Sequence, residues 1–455
     1  NHVDKGQPRA YGYAWARPYE DPHHTYFMTM RGRFEPEISV SDKFVIKSSI
    51  DVLDGVVWGD NENLAATPMF AANPSTTLPD GSQVDALELR RLWVEWTTQF
   101  GLLRIGRQPS HWGMGLLANS GDGFDDDFGD NNGGSTYDRV IFATRPIDLV
   151  RGIAEKITGN DMGGPEQYPW IFAIGFDKLV ESSQERYRSK FPCTDGDPGN
   201  DGDCDEYPEE TTFLSADTEA GYRQNPIWLS DRGDDVNELI LVSLVSAPGI
   251  QLNPRLAMDL KVGVYAVHRW QRETDSDAWI VDAYLNWKMA GVFVEAEGYR
   301  IMGVSKAIAP RGDVVDAFDC SFKDIVNDDW EHGDDSSCKA VNITGYAARA
   351  GYEHDMFTVK AEVGMATGDS DLLDPVFSGR ALHPDHNVGL ILYKQVLPRL
   401  TAEAYANDLS YEPLWANGGV YNSVYLFPRV LFHPIEMLDL RFGVVAAWAD
   451  RAGGN

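Results

Sequence analysis

Phe357-Thr358-Val359-Lys360-Ala361-Glu362-Val363-Gly364-Met365-Ala366 decides the fold. Phe357, Val359, Ala361, Val363 and Met365 fall on one side of an extended chain. Thr358, Lys360, Glu362, Gly364 and Ala366 fall on the other. Successive side chains of a strand point to opposite faces, so the stretch is a β-strand with one greasy and one wet face. The same period recurs in Leu92, Val94 and Trp96 against Arg91, Trp93 and Glu95. It recurs again in Leu440, Phe442, Val444, Ala446 and Trp448 against Asp439, Arg441, Gly443 and Val445. Repeated from end to end with ionisable groups inside the strands, this pattern predicts an all-β, antiparallel, up-and-down transmembrane β-barrel. Its apolar side faces lipid and its polar side a lumen.

Composition fits that expectation. Across 455 residues no linker or shift in composition separates one core from another, so a single domain over 1–455 is predicted. No run of 18 apolar residues exists, which removes a transmembrane helix but not a barrel, because a barrel hides its apolar band in every second residue. A net charge of −31 argues against nucleic acid as a partner, since phosphate binding requires Lys and Arg. An acidic, soluble β-sandwich or propeller is the rival reading of this composition. The chain opens at Asn1 without a basic and apolar leader, which reads as a mature or trimmed chain.

Taking each alternating run as a strand gives Arg9 to Arg17, His24 to Phe34, Lys43 to Leu53, Val84 to Thr98, Leu102 to Gln108, Thr136 to Thr144 and Trp170 to Leu179. Val236 to Ser246, Leu256 to Trp270, Ala278 to Lys288, Val292 to Met302, Val341 to Tyr352 and Met356 to Thr367 follow. Asn387 to Val396, Arg399 to Asp408, Val420 to Phe432 and Ile435 to Trp448 complete 17. The stretch Ile147 to Tyr168 reads either as a short strand with a loop or as an inserted turn. Connections alternate short (Phe100 to Gly101, Ala290 to Gly291, His354 to Asp355, Pro398) and long, the long acidic loops lying at about 109–135, 180–235 and 303–340. Bacterial barrels use an even strand number, short periplasmic turns and long external loops, so about 18 strands (16–18) are expected. Pro428 lies inside a strand and reads as a bulge.

On the wet face the phase places Arg91, Glu95, Arg104, Arg139, Asp259, Lys261, Asp282, Glu295, Glu297, Lys360, Glu362, Glu403, Asp439 and Arg441. Charges against hydrocarbon would cost several kcal/mol each, so these residues are predicted to line a pore. Asp259 with Lys261, Lys360 with Glu362, and Asp439 with Arg441 stand two apart and are expected to form ladders of opposite charge. Packing that fills a narrow barrel is the plainer alternative.

Four cysteines fall in two loops, Cys193 with Cys204 and Cys320 with Cys338. Pairing within each loop is one of three connectivities and would contribute about 3 kcal/mol per bridge. Oxidised loops imply an extracytoplasmic location. Asp195, Asp197, Asp201, Asp203 and Asp205 alternate with Gly, a spacing at which short carboxylates curl round calcium; a solvated acidic loop is the other reading. The stretch resembles the calcium-binding type 3 repeats of thrombospondin over about a dozen residues. No cofactor is otherwise implied. Gly113, Gly115 and Ala118 form a nominal GxGxxA without a βαβ context. No GxSxG elbow or HExxH helix occurs, and the histidines, His383 and His386 among them, scatter near strand ends and loops. No catalytic residue is predicted, and the chain is read as a non-enzyme.

Two patches carry a family resemblance. RLWVEWTTQFGLLRIGRQPSHWGMGLL (91–117) resembles the hairpin of alginate-export-type and porin-like outer-membrane barrels, where an R-x-G-R-Q strand leads into a Gly-rich loop. ATGDSDLLDPVFSGRALHPDHNVGLILY (366–393) has a similar cast. The resemblance implies a bacterial outer-membrane barrel of 18 strands, a monomer, conducting a solute or an exported polysaccharide. In the alginate exporter an arginine-rich pore matches an anionic polymer, whereas the wet face here is of mixed sign. The expected function is a porin-type channel for small hydrophilic solutes, with infolded loops setting its size limit. Its surroundings would be outer-membrane lipid, lipopolysaccharide and envelope proteins. Export of a secreted polymer, or a barrel displaying calcium-dependent adhesive loops, are the alternatives.

Overall fold

The computed structural model describes residues 27–59, 87–122, 134–159, 167–179, 236–254, 256–272, 276–305, 339–370, 376–389, 391–397, 418–435 and 437–451. They carry 17 strands of one sheet. The strands are β1 (Phe27–Phe34), β2 (Glu37–Ser41), β3 (Phe44–Gly59), β4 (Leu87–Thr97), β5 (Leu102–Pro109), β6 (Thr136–Thr144), β7 (Trp170–Leu179), β8 (Val236–Asn253), β9 (Leu256–Gln271), β10 (Ser276–Met289), β11 (Val292–Ser305), β12 (Lys339–His354), β13 (Phe357–Ala366), β14 (Val376–Phe377), β15 (Ser423–Ile435), β16 (Leu438–Gly443) and β17 (Ala446–Ala449). One helix, α1 (Pro146–Thr158), lies between β6 and β7.

The described residues form two compact units. In the first, built from 27–38, 46–59 and 87–92, β1 pairs antiparallel with β3. In the second, each strand from β5 to β13 pairs antiparallel with the next in sequence, and β13 pairs with β15. Neighbours in sequence are neighbours in space, which is the up-and-down arrangement that the alternation predicts. Among the described pairs only β14, two residues beside β12, runs parallel. Ala290 and Gly291 both take positive φ, 51° and 82°. That is the two-residue turn whose twist matches a hairpin, and it brings β10 and β11 into register without a bulge.

Several expectations need correction. The stretch Ile147 to Tyr168 contains a helix: Pro146 sits in its first turn, Gly159 closes it with φ 71°, and Ile147, Val150, Ile153 and Ile157 recur at helical spacing. Asn387 to Val396 is not a strand. Asp385, His386, Asn387 and Val388 are buried in succession, which a two-residue period forbids, and Leu392–Val396 forms a π-helical turn. Among the described strands the alternation of short and long connections slips where a long one is expected, because only four residues separate Gln271, ending β9, from Ser276, opening β10. Pro428 stays in register opposite Ala361, and the chain on its other side breaks between β16 and β17 instead. Glu37–Ser41, between the expected strands His24 to Phe34 and Lys43 to Leu53, adds strand β2. Arg9 to Arg17 and Arg399 to Asp408 lie outside the described residues.

Candidate functional site

Burial in the second unit is inverted relative to a water-soluble sheet. Along β7, Ala173, Gly175 and Asp177 are buried while Ile174 and Phe176 between them are 45% and 44% exposed. Along β13, Glu362, Gly364 and Ala366 are buried and Val359, Ala361 and Val363 exposed. Val262, Val264, Trp279, Val281, Leu426 and Val430 share the exposed side. The first unit agrees: Asp51 and Arg91 are buried, Leu89 and Leu92 exposed.

The buried charges pair across strands, not along them. Arg139 on β6 stands opposite Asp177 on β7 and holds its carboxylate through contacts of 2.6 to 2.9 Å. Asp177 in turn faces Glu238 on β8, and Glu238 faces and ion-pairs Arg269 on β9. A second row runs from Glu295 on β11 through Arg349 on β12 to Glu362 on β13. Arg349 donates to Glu295 at 2.6 Å, and Arg429 on β15 donates to Glu362 at 2.6 Å. In the first unit Arg33 and Arg90 converge on Asp51. Opposite charges a ladder spacing apart satisfy each other where water is scarce.

Of the residues singled out from sequence, Arg139, Asp282, Glu295, Glu297 and Glu362 are buried on this charged face, and Arg91 is buried within the first unit. Glu95 pairs with Arg104 at 3.0 Å, and Lys360 is half-buried. Asp259, Lys261, Asp439 and Arg441 are exposed. Asp259 accepts the backbone N–H of Gly249 at 2.7 Å, whereas Asp439 does approach Arg441, at 3.6 Å, besides His433. Glu403, the aspartates from Asp195 to Asp205 and the four cysteines lie outside the described residues. Among the described residues no group of three or more His, Cys, Asp or Glu is placed to hold a metal ion.

Two loops sit on the charged face, and they fall within the two patches that carry the family resemblance. The first follows β5. Gly113 and Gly115 take φ of 57° and 78°, which bends Trp112–Ala118 into a compact turn closed by Trp112 N–H on the Ala118 carbonyl at 3.0 Å. Trp112 stacks on Tyr265 at 5.5 Å between ring centres and donates its indole N–H to Asp282 Oδ1 at 3.1 Å. The backbone N–H groups of Met114 and Leu116 both donate to the Glu297 carboxylate. Gly263 leaves room for the indole, since a Cβ there would lie 2.8 Å from Trp112 Cη2.

The second loop, from Ser378 to Gly389, docks on the first. His383 N–H donates to the Leu116 carbonyl at 2.8 Å, and Gly134 N–H donates to Asp385 Oδ2 at 2.8 Å. His386 spans from the Met114 carbonyl, 3.3 Å from Nδ1, to Glu362 Oε1, 3.1 Å from Nε2. Ser135, His383 and Asp385 cluster in the manner of a hydrolytic triad, but their hydrogen bonds run the wrong way. Asp385 N–H donates to His383 Nδ1 at 3.0 Å, so Nε2 carries the proton and donates to Ser135 Oγ at 3.0 Å. A general base would have to accept there. Burial pushes the His383 imidazole down to about 4, against the pull of the Asp385 carboxylate. The trio braces a loop. Sequence reasoning missed these loop residues; the apolar, glycine-rich Trp112–Leu117 inside an acidic loop was the available signal.

No known protein family and no curated relative matches the chain. Among solved structures it is similar to a porin refined at 1.8 Å resolution, at 9% identity over 92% of this chain and 86% of that one with a TM-score of 0.35. It is similar to Pseudomonas aeruginosa OccK9 (OpdG), at 11% identity over 94% and 88% with a TM-score of 0.34. A third is the loop L8 deletion mutant of OmpT, an outer membrane protein of Vibrio cholerae, at 8% identity over 92% and 86% with a TM-score of 0.32.

Proposed function

We propose that the chain is a bacterial outer-membrane β-barrel channel of porin type, a single barrel domain that passes small hydrophilic solutes along its charged face. The observation that carries this reading is the inversion: charged side chains buried on alternate positions of strands whose other positions expose Val, Ile, Leu, Phe and Trp. In water such a sheet would expose its apolar residues at about 25 cal/mol per Å². In a bilayer the same residues meet lipid, and the charges line a lumen. The two seated loops favour small solutes over an exported polymer, which needs an unobstructed passage. A net charge of −31 favours cations or neutral solutes at the mouths. The cysteine pairs and the Asp195–Asp205 cluster belong, in this reading, to external loops closed by disulfides, the cluster being either a solvated acidic stretch or a calcium site.

The test is conductance of the purified protein in planar bilayers, with reversal potentials across a KCl gradient. Discrete cation-selective steps are expected. Extraction into buffer without detergent, or absence of any conductance, overturns the channel reading.

A further inference from the structure

Helix α1 repeats, at helical spacing, the inversion seen in the strands. Ile147, Val150, Ile153 and Ile157 form one stripe, and all four are exposed, Val150 and Ile157 at 66% and 79%. The polar face is the one turned to the protein. Asp148 accepts the backbone N–H of Tyr168 at 3.1 Å, and the Arg151 guanidinium lies 5.6 Å over the Tyr168 ring while pairing with Glu155 at 3.5 Å. A helix dissolved in water packs its apolar stripe inward and leaves its charges out; α1 does the reverse.

What covers the stripe follows from where the helix joins the sheet. It connects β6 to β7, whose exposed residues include Val140, Ile174 and Phe176. Its N-terminal end lies beside the short turn between β4 and β5, where Thr144 Oγ1 donates to the Phe100 carbonyl at 2.6 Å. The charge changes as well: in a chain of net −31, the segment from Arg145 to Gly159 holds three basic residues (Arg145, Arg151, Lys156) against two acidic ones (Asp148, Glu155). An apolar stripe on a helical segment of net positive charge suits the region of phospholipid headgroups.

We infer that α1 is an interfacial anchor, lying along the phospholipid headgroups at the short-turn rim with Ile147, Val150, Ile153 and Ile157 among the upper acyl carbons. The inference rests on the membrane reading above, and the test separates the two. Ile157→p-benzoylphenylalanine and Val150→p-benzoylphenylalanine are placed in the full chain, reconstituted in vesicles of phosphatidylethanolamine with one quarter phosphatidylglycerol and irradiated. Asp148→p-benzoylphenylalanine reports the face turned to the protein, and Ile174→p-benzoylphenylalanine an outward strand position. Phospholipid adducts at 150, 157 and 174 but not at 148 are the expected result. Adducts at 174 with none at 150 and 157, or cross-links from 150 and 157 to a second copy of the chain, overturn the anchor and leave the barrel standing. No lipid adduct at any position overturns both.

Discussion

His386 Nε2 stands 3.1 Å from Glu362 Oε1, and this contact ties the second loop to the strand wall. Glu362 is also held by Arg429 and Tyr425, so the histidine can be removed without leaving the carboxylate alone. His386→Phe deletes the ring's polar contacts with Met114, Glu362 and Tyr425 and should loosen the loop by about 1–3 kcal/mol. The expected outcome is a noisier single-channel current of higher mean conductance. Records indistinguishable from those of the parent would show that the loop is held elsewhere.

Gly113 makes the same point for the first loop. A methyl group there would collide with the Glu297 carboxylate, and φ of 57° disfavours any L side chain. Gly113→Ala should therefore unseat the turn, as should Glu297→Ala, which removes the acceptor of two backbone N–H groups. Faster amide exchange at Met114 and Leu116 in both variants, read by mass spectrometry, is the result expected.

Arg139 and Asp177 are both almost fully buried. Asp177→Ala leaves the buried Arg139 guanidinium without this partner and should cost about 3–5 kcal/mol. The double variant Arg139→Met with Asp177→Leu should recover most of that loss. Urea unfolding in detergent or lipid decides: equal losses in single and double variants would contradict the pairing.

Ile174 tests the outward face. Ile174→Lys should destabilise the inserted protein by about 2–4 kcal/mol if position 174 lies near the bilayer middle. Ala173→Ser, on the buried side, gives a reference of small effect. A neutral lysine at 174 would contradict the lipid contact.

The His383 imidazole, held near 4 by burial, makes the loop assembly acid-labile. An undocked histidine takes its proton near 6.5, so its stabilising contribution is complete above that pH and is lost as pH falls towards 4. Amide exchange around Ser135 should rise across this window, and His383→Gln should flatten the dependence.

Strand positions and phase were legible because a period of two is written into neighbouring residues: Val359, Glu362 and Val363 face as the alternation says. Partners were not, because register is a property of two strands. Asp177, Glu238, Arg269, Arg349 and Arg429 complete the charge rows only once β7, β8, β9, β12 and β15 are laid side by side, and the expected pairing of Asp259 with Lys261 gave way to cross-strand contacts elsewhere. Helix α1 was legible in principle, from Pro146, Gly159 and the spacing of Ile147, Val150, Ile153 and Ile157. The stretch from His383 to Val388 was not, since its conformation is dictated by Leu116, Gly134 and Glu362, remote in the chain.

Trp112 and Asp282 meet across 170 residues of sequence, and His386 reaches Met114 across 272. Contacts of such span form late, because the intervening chain must first be ordered. Hairpins such as β10 with β11 can zip locally, but the Trp112 turn has nowhere to lodge until β9, β10 and β11 stand together. The charged face would therefore be laid down before the turn that covers it, and the clasp would snap shut only at the end of folding.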